Sequence, residues 1–298
     1  LLDPLAGAAL YAAGHVPGAV HLDLDKDLSG PLGAGGGRHP LPDMHVFVAT
    51  LGERGVGRGN EIVVYDQMGG MYAARAWWLL RYAGHDQVRF LDGGLREYTR
   101  AGGPLTTDVP RRAQVTFALD LRPAMVATAA EVLGRLDDPT LVLLDARAPE
   151  RYRGEVEPLD AKAGHIPGAR NLPYTEVLEA GRFLPPGRLG DRLAGGLGDR
   201  LAGRLGDRLA GGLGDRIAVQ LADQQADRSA GVTGAVDLEA DNVVAYCGSG
   251  VSAAQVVLAF EVAGMSGVRL YPGSWSEWSS DPAMPVATGG RDGVAVVD

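Results

Sequence analysis

The chain has 298 residues, enough for two domains at about 100–200 residues each, and its 46% apolar and 22% charged content suits a globular protein with a sizeable core. A net charge of −9 without any Lys/Arg-rich run argues against a nucleic-acid partner, and no uncharged apolar stretch of about 18 residues is present to cross a membrane. The single cysteine, Cys247, excludes an internal disulfide and a multi-thiolate metal site and fits a reducing, cytoplasmic compartment; the six histidines are scattered rather than at ligand spacing, so no metal is expected.

Read in chain order, the sequence repeats itself. Gly14-His15-Val16-Pro17-Gly18-Ala19 returns 150 residues later as Gly164-His165-Ile166-Pro167-Gly168-Ala169. The strand-like run 61–65 returns as 242–246, which places Asp66 opposite Cys247. Val88-Arg89-Phe90-Leu91-Asp92-Gly93-Gly94 returns as Val268-Arg269-Leu270-Tyr271-Pro272-Gly273-Ser274. Three ordered matches mean two copies of one domain. Runs 61–65, 140–145 and 242–246 read as buried parallel strands; runs 71–83 and 252–263, each after a glycine-containing turn, read as helices packed on a sheet. The fold class is therefore α/β, with two domains, each a parallel sheet flanked by helices. The divisions are residues 1–105, a linker at 106–124 rich in Pro and Thr, and 125–290. The first copy shows no counterpart of strand 140–145; that strand would precede Leu1, so an N-terminal piece is expected to be missing. No signal-peptide pattern opens the chain.

The second copy is about 30 residues longer, and the excess is visible at 188–218 as an eight-residue unit, Arg/Gly-Leu-Gly-Asp-Arg-Leu/Ile-Ala-Gly. Its leucines fall every fourth position. Four residues overshoot a helical turn by about 40°, so the stripe spirals. The recurrent glycines each cost about 1 kcal/mol in a helix. A flexible or weakly helical surface insertion is expected, an ordered helical hairpin or a partner-binding element being the alternatives.

The segment Tyr246-Cys247-Gly248-Ser249-Gly250-Val251-Ser252-Ala253 carries the chemistry. Cys247 ends an apolar strand at the carboxyl edge of a parallel sheet, where α/β proteins bind ligands. Gly248 and Gly250 let the loop curl so that amides, including those of Val251 and Ser252, point inward at the start of a helix. Such a setting favours an anion, so it favours a reactive thiolate over a merely buried thiol.

This loop, with a Gly-His-[Val/Ile]-Pro-Gly-Ala motif upstream in each half, resembles the tandem rhodanese-domain sulfurtransferases over nearly the whole chain outside the octads. Cys-Gly-Ser-Gly-Val-Ser-Ala is similar to the loop of the 3-mercaptopyruvate type; the thiosulfate type carries basic residues there, which suit a dianion. The resemblance implies that Cys247 takes sulfur from 3-mercaptopyruvate as a persulfide and passes it to a thiol or cyanide. Thiosulfate:cyanide transfer, or a persulfide-carrying or redox-sensing module, are the alternatives. It implies a small-molecule donor, a thiol acceptor that includes thioredoxin-like proteins, and no cofactor. Arg151 matches the substrate-binding arginine. The second arginine of that class is missing: Leu159 lies near its place in Glu157-Pro158-Leu159-Asp160, with Lys162 as a replacement. Ser249 matches a serine that works with a histidine and an aspartate of the first domain; His15 fits by motif, and Asp3 is the upstream acid. Against this, both Gly-His-[Val/Ile]-Pro-Gly motifs also read as structural turns, the stronger reading for His165. Arg147 is expected to pair with an acid and hold the fold, Arg75, Trp77 and Trp78 to fill the helix packing and the domain interface, and Asp66 to leave the first copy catalytically silent.

Overall fold

The computed structural model describes residues 6–33, 37–197, 236–237, 242–290 and 295–297; Asp3 and the octads beyond Leu197 lie outside them. The first domain runs Ala6–Ala13 (α1), Met44–Glu53 (α2), Ile62–Val64 (β1), Met71–Tyr82 (α3), Val88–Phe90 (β2) and Gly94–Arg100 (α4). The Asp43 carboxylate starts α2 by accepting from the His45 and Val46 amides, two donors that the helix leaves unpaired. β1 and β2 pair in parallel, Ile62 opposite Val88, with α3 as the crossover.

In the second domain come Ala129–Leu133 (α5), Val142–Asp145 (β3), Pro149–Tyr152 (α6), Arg170–Asn171 (β4), Pro186–Leu197 (α7), Val243–Tyr246 (β5), Ser252–Val262 (α8), Arg269–Leu270 (β6) and Ser274–Trp278 (α9). These strands form one parallel sheet in the order β6-β5-β3-β4. Every residue of β3 and β5 is buried, as befits apolar strands covered on both faces. The strands and helices expected at 61–65, 140–145, 242–246, 71–83 and 252–263 are all present, with ends displaced by one or two residues.

α3 and α8, the equivalent helices of the two copies, pack against each other, and one continuous core includes both. Alanines 73, 74 and 76 on α3 and 253, 254 and 259 on α8 are buried, as are Trp78 and Phe260. Gln255, in the first turn of α8, donates to the Gly69 carbonyl at 2.8 Å and ties that helix to the loop that opens α3. The segment after the first domain is tied back to it: the amides of Val115, Asp120 and Arg122 donate to the carbonyls of Gly52, Ala83 and Tyr82.

The first ten residues of the insertion correct the expectation of a passive surface loop. α7 is a regular helix, and Leu189, Leu193 and Leu197 on it are buried within the main core. The reason is arithmetic: three leucines at four-residue spacing drift by only about 80°, which stays inside the apolar stripe of at least about 100° that a core-facing helix presents. Gly196 lies against Leu172, where a Cβ would sit 3.2 Å from a methyl group, so glycine permits the close approach. Removal of residues 188–218 would therefore uncover core, and the octads beyond Leu197 fall outside the described residues. Leu193→Ala is expected to cost about 2–5 kcal/mol, as buried leucine truncations do, measured by denaturant unfolding; an unchanged midpoint would show that α7 contributes nothing to the core.

Candidate active site

Cys247 sits at the end of β5 and is 2% exposed. Its loop is held from outside. The carbonyls of Cys247 and Gly248 accept from the amides of Trp275 and Ser276 at 2.9 Å, and the Cys247 amide donates to Ser274 Oγ at 3.1 Å. With its carbonyls turned toward α9, the loop presents an amide to the sulfur: Gly250 N–H donates to Cys247 Sγ at 3.1 Å. Gly250 has φ +75°, and a Cβ there would strike the Pro272 backbone, so only glycine fits. Val251 is buried and Ser252 opens α8.

The equivalent loop of the first copy is closed by its own side chain. Asp66 accepts from the amides of Met68, Gly70, Tyr72 and Ala73 at 2.8–3.1 Å. A resident carboxylate occupies the amides that would otherwise face an anion.

Ser249 is buried, and its hydroxyl meets His39 Nδ1 at 2.7 Å; His39 Nε2 in turn lies 3.5 Å from Asp25 Oδ1. This corrects the assignment of His15. His15 stacks on Tyr11 at 3.8 Å, its Nδ1 and Nε2 engage the carbonyls of Tyr11 and Asp108, and its backbone pairs with Thr106. His165 repeats the arrangement on Tyr152, stacked at 3.8 Å with Nδ1 on the Tyr152 carbonyl. A constellation found in both copies serves the shared fold rather than the one cysteine. Asp25 occupies the acid's place beside His39, where Asp3 had been expected.

Burial lowers the His39 pKa to about 4, although Asp25 pulls it upward. The ring is therefore neutral at pH 7. With Nε2–H toward Asp25, Nδ1 accepts the Ser249 proton.

Arg75, expected from the sequence only in helix packing and the domain interface, reaches the site. It is fully buried on α3 and touches both halves of the site: Nη1 donates to the Gly250 carbonyl at 3.2 Å and Nη2 to the carbonyls of His39 and Pro40 at 3.1 and 3.3 Å. Burial lowers its pKa to about 10, so it stays charged at neutral pH.

Arg151, on α6, donates through Nη2 to Glu157 at 2.6 Å and Asp160 at 2.9 Å. Arg38, from the first domain, pairs with the same Asp160. Arg147 is paired with Asp145 and Glu157 and lies 4.7 Å over the Trp275 ring, as its structural reading required. Lys162 does not replace the missing arginine: its ammonium donates to the carbonyls of Asp281, Pro282 and Met284. Among the described residues no cluster of three or more His, Cys, Asp or Glu is placed to hold a metal ion.

A family model for the rhodanese-like domain matches residues 5–101, 128–193 and 217–281. The chain belongs to the rhodanese family. The match breaks between 193 and 217, inside the octads, so most of the repeat is foreign to the rhodanese pattern. The chain is 41% identical over 292 residues to a Pseudomonas aeruginosa protein named "Probable 3-mercaptopyruvate sulfurtransferase", covering 97% of this chain and 89% of that one. It is 40% identical over 296 residues to SseB of Mycobacterium tuberculosis, provisionally named a thiosulfate sulfurtransferase, covering 97% and 88%. Among solved rhodanese structures, SseA from Escherichia coli, a 3-mercaptopyruvate sulfotransferase by its published description, superposes with a TM-score of 0.68 at 30% identity, covering 91% of this chain and 86% of that one.

The low His39 pKa has a pH consequence. The ring takes a proton less readily folded than unfolded, where the value is about 6.5, so acidification between those two values removes stability. The acid limb of kcat/KM that disappears in His39→Gln is expected near pH 4; a His39-dependent limb near 6.5 would contradict the buried, neutral ring.

Proposed function

We propose that this chain is a sulfurtransferase that takes sulfane sulfur from 3-mercaptopyruvate onto Cys247 and delivers it to a thiol, thioredoxin-like proteins included, or to cyanide, in a reducing, cytoplasmic setting. The observation that carries the donor assignment is the make-up of the cysteine loop: Cys247 through Ser252 contain no cation, and Ser249 is hydrogen-bonded to a neutral His39.

The step balances without a cofactor. The Cys247 thiolate attacks the donor sulfur; the Sγ–S bond forms and the C–S bond breaks. The electron pair moves onto the departing carbon as the enolate of pyruvate, which takes a proton. Solvent supplies that proton; the Ser249 hydroxyl, held by the neutral His39, stands in the same loop as Cys247. The Gly250 amide, 3.1 Å from Sγ, supports negative sulfur. An acceptor thiolate then attacks the outer sulfur of the persulfide and releases the Cys247 thiolate, a two-stage covalent exchange.

Thiosulfate as donor is the second reading, favoured by the name of the Mycobacterium tuberculosis relative. Either donor leaves the same intermediate. Protein given 3-mercaptopyruvate without acceptor is expected to gain about 32 Da at Cys247 by mass spectrometry, one sulfur, and Cys247→Ser to gain nothing and transfer nothing. Sulfur transfer that persists in Cys247→Ser would contradict the mechanism.

A further inference from the structure

We infer that Arg38 of the first domain and Arg151 of the second form a clamp for the carboxylate of the sulfur donor, and that Asp160, bracketing the two guanidiniums, sets the preference for a monocarboxylate over a dianion. The inference rests on the sulfurtransferase reading above and names what selects its donor.

The geometry divides each guanidinium between two tasks. Asp160 Oδ1 accepts from Arg38 Nη1, and Oδ2 from Arg151 Nη2. The other terminal nitrogens, Arg38 Nη2 and Arg151 Nη1, make no hydrogen bond to protein among the described residues, and both converge on Gly248, the neighbour of Cys247. A Cβ built on Gly248 would lie 2.8 Å from the first and 3.4 Å from the second. A side chain at 248 would fill the space into which both donors point; glycine leaves it open beside the reactive sulfur. Arg151 Nε is buried and has no partner. A planar carboxylate accepts well from such donors.

Two guanidiniums so close repel, and Arg151 helps to lower the Arg38 pKa, after burial. Asp160, its side chain only 3% exposed, is what makes the pairing tolerable. The sequence departure now has a physical sense. Where the resemblance called for a second arginine in the second domain, an acid stands nearby, and the guanidinium arrives instead from the first domain.

Charge decides the donor. Arg38, Arg151 and Arg147 face Asp160, Glu157 and Asp145, three cations against three carboxylates, all of the latter nearly buried. The corner is neutral before any donor arrives. A monocarboxylate brings one negative charge to donors already aimed at it. Thiosulfate brings two, with the Asp160 carboxylate close behind the clamp.

The test is kcat/KM for 3-mercaptopyruvate and for thiosulfate, with cyanide as common acceptor, on wild type, Arg38→Ala, Arg38→Lys and Asp160→Asn. Arg38→Ala is expected to raise KM for 3-mercaptopyruvate roughly 10–100-fold with a smaller change in kcat. Asp160→Asn is expected to shift the 3-mercaptopyruvate-to-thiosulfate ratio roughly tenfold or more toward thiosulfate. Equal losses for both donors, leaving the ratio unmoved, would overturn the clamp and reduce Arg38 and Asp160 to fold support. Should Asp160→Asn fail to fold, Arg38→Lys decides: a point charge without the planar fork is expected to raise KM for 3-mercaptopyruvate more than for thiosulfate, and equal effects overturn the inference. Wild type that gains no sulfur at Cys247 from 3-mercaptopyruvate would overturn the donor reading itself; sulfur gain with unmoved ratios would overturn the clamp alone.

Discussion

Arg75 is the interaction on which the site depends. A guanidinium with no exposed surface is held by carbonyls alone: Leu28, His39 and Pro40 from the first domain and Gly250 from the cysteine loop. Burying a charge without a carboxylate costs several kcal/mol, so this is a poor device for stability. It is a good one for register. The Gly37-Arg38-His39-Pro40 segment and the Cys247 loop come from different domains, and one rigid planar group fixes both. Burial lowers the Arg75 pKa, and the nearby Cys247 works the other way.

A second network completes the picture. Asp145, Arg147, Glu157, Arg151, Asp160 and Arg38 pair in succession, alternating in sign from the end of β3 across to the first domain. Burial works against the charge of Arg147, yet Asp145, with Tyr246 and Glu157, together raise the Arg147 pKa. Hydrogen-bonded pairs of this kind add little net stability over apolar packing but hold one geometry. Here that geometry points the unpaired nitrogens of Arg38 and Arg151 at Gly248.

Much of this was legible in the sequence. The duplication, the parallel strands, the packed helices and the Cys247 loop were carried by periodicity and glycine placement, and Asp66 opposite Cys247 announced the closed loop. His39, Asp25 and Arg38 were not legible, because residues contributed across a domain interface have no spacing rule to the cysteine they serve. One signal was available: His15 has a repeat partner in His165, whereas only one copy carries the cysteine, so a motif present in both argued for the fold. α7 was misread because the four-residue drift was judged over eight positions, seven leucines and Ile217, while three suffice to make a face.

The most direct measurement is the single-turnover rate of persulfide formation at Cys247 in Arg75→Met, a nearly volume-conserving change that removes the charge and its hydrogen bonds. If Arg75 aligns the two loops, the variant folds, and the rate falls by roughly 10–100-fold, the scale of losing charge-assisted hydrogen bonds. A folded variant that forms the persulfide within about twofold of the wild-type rate would contradict the account.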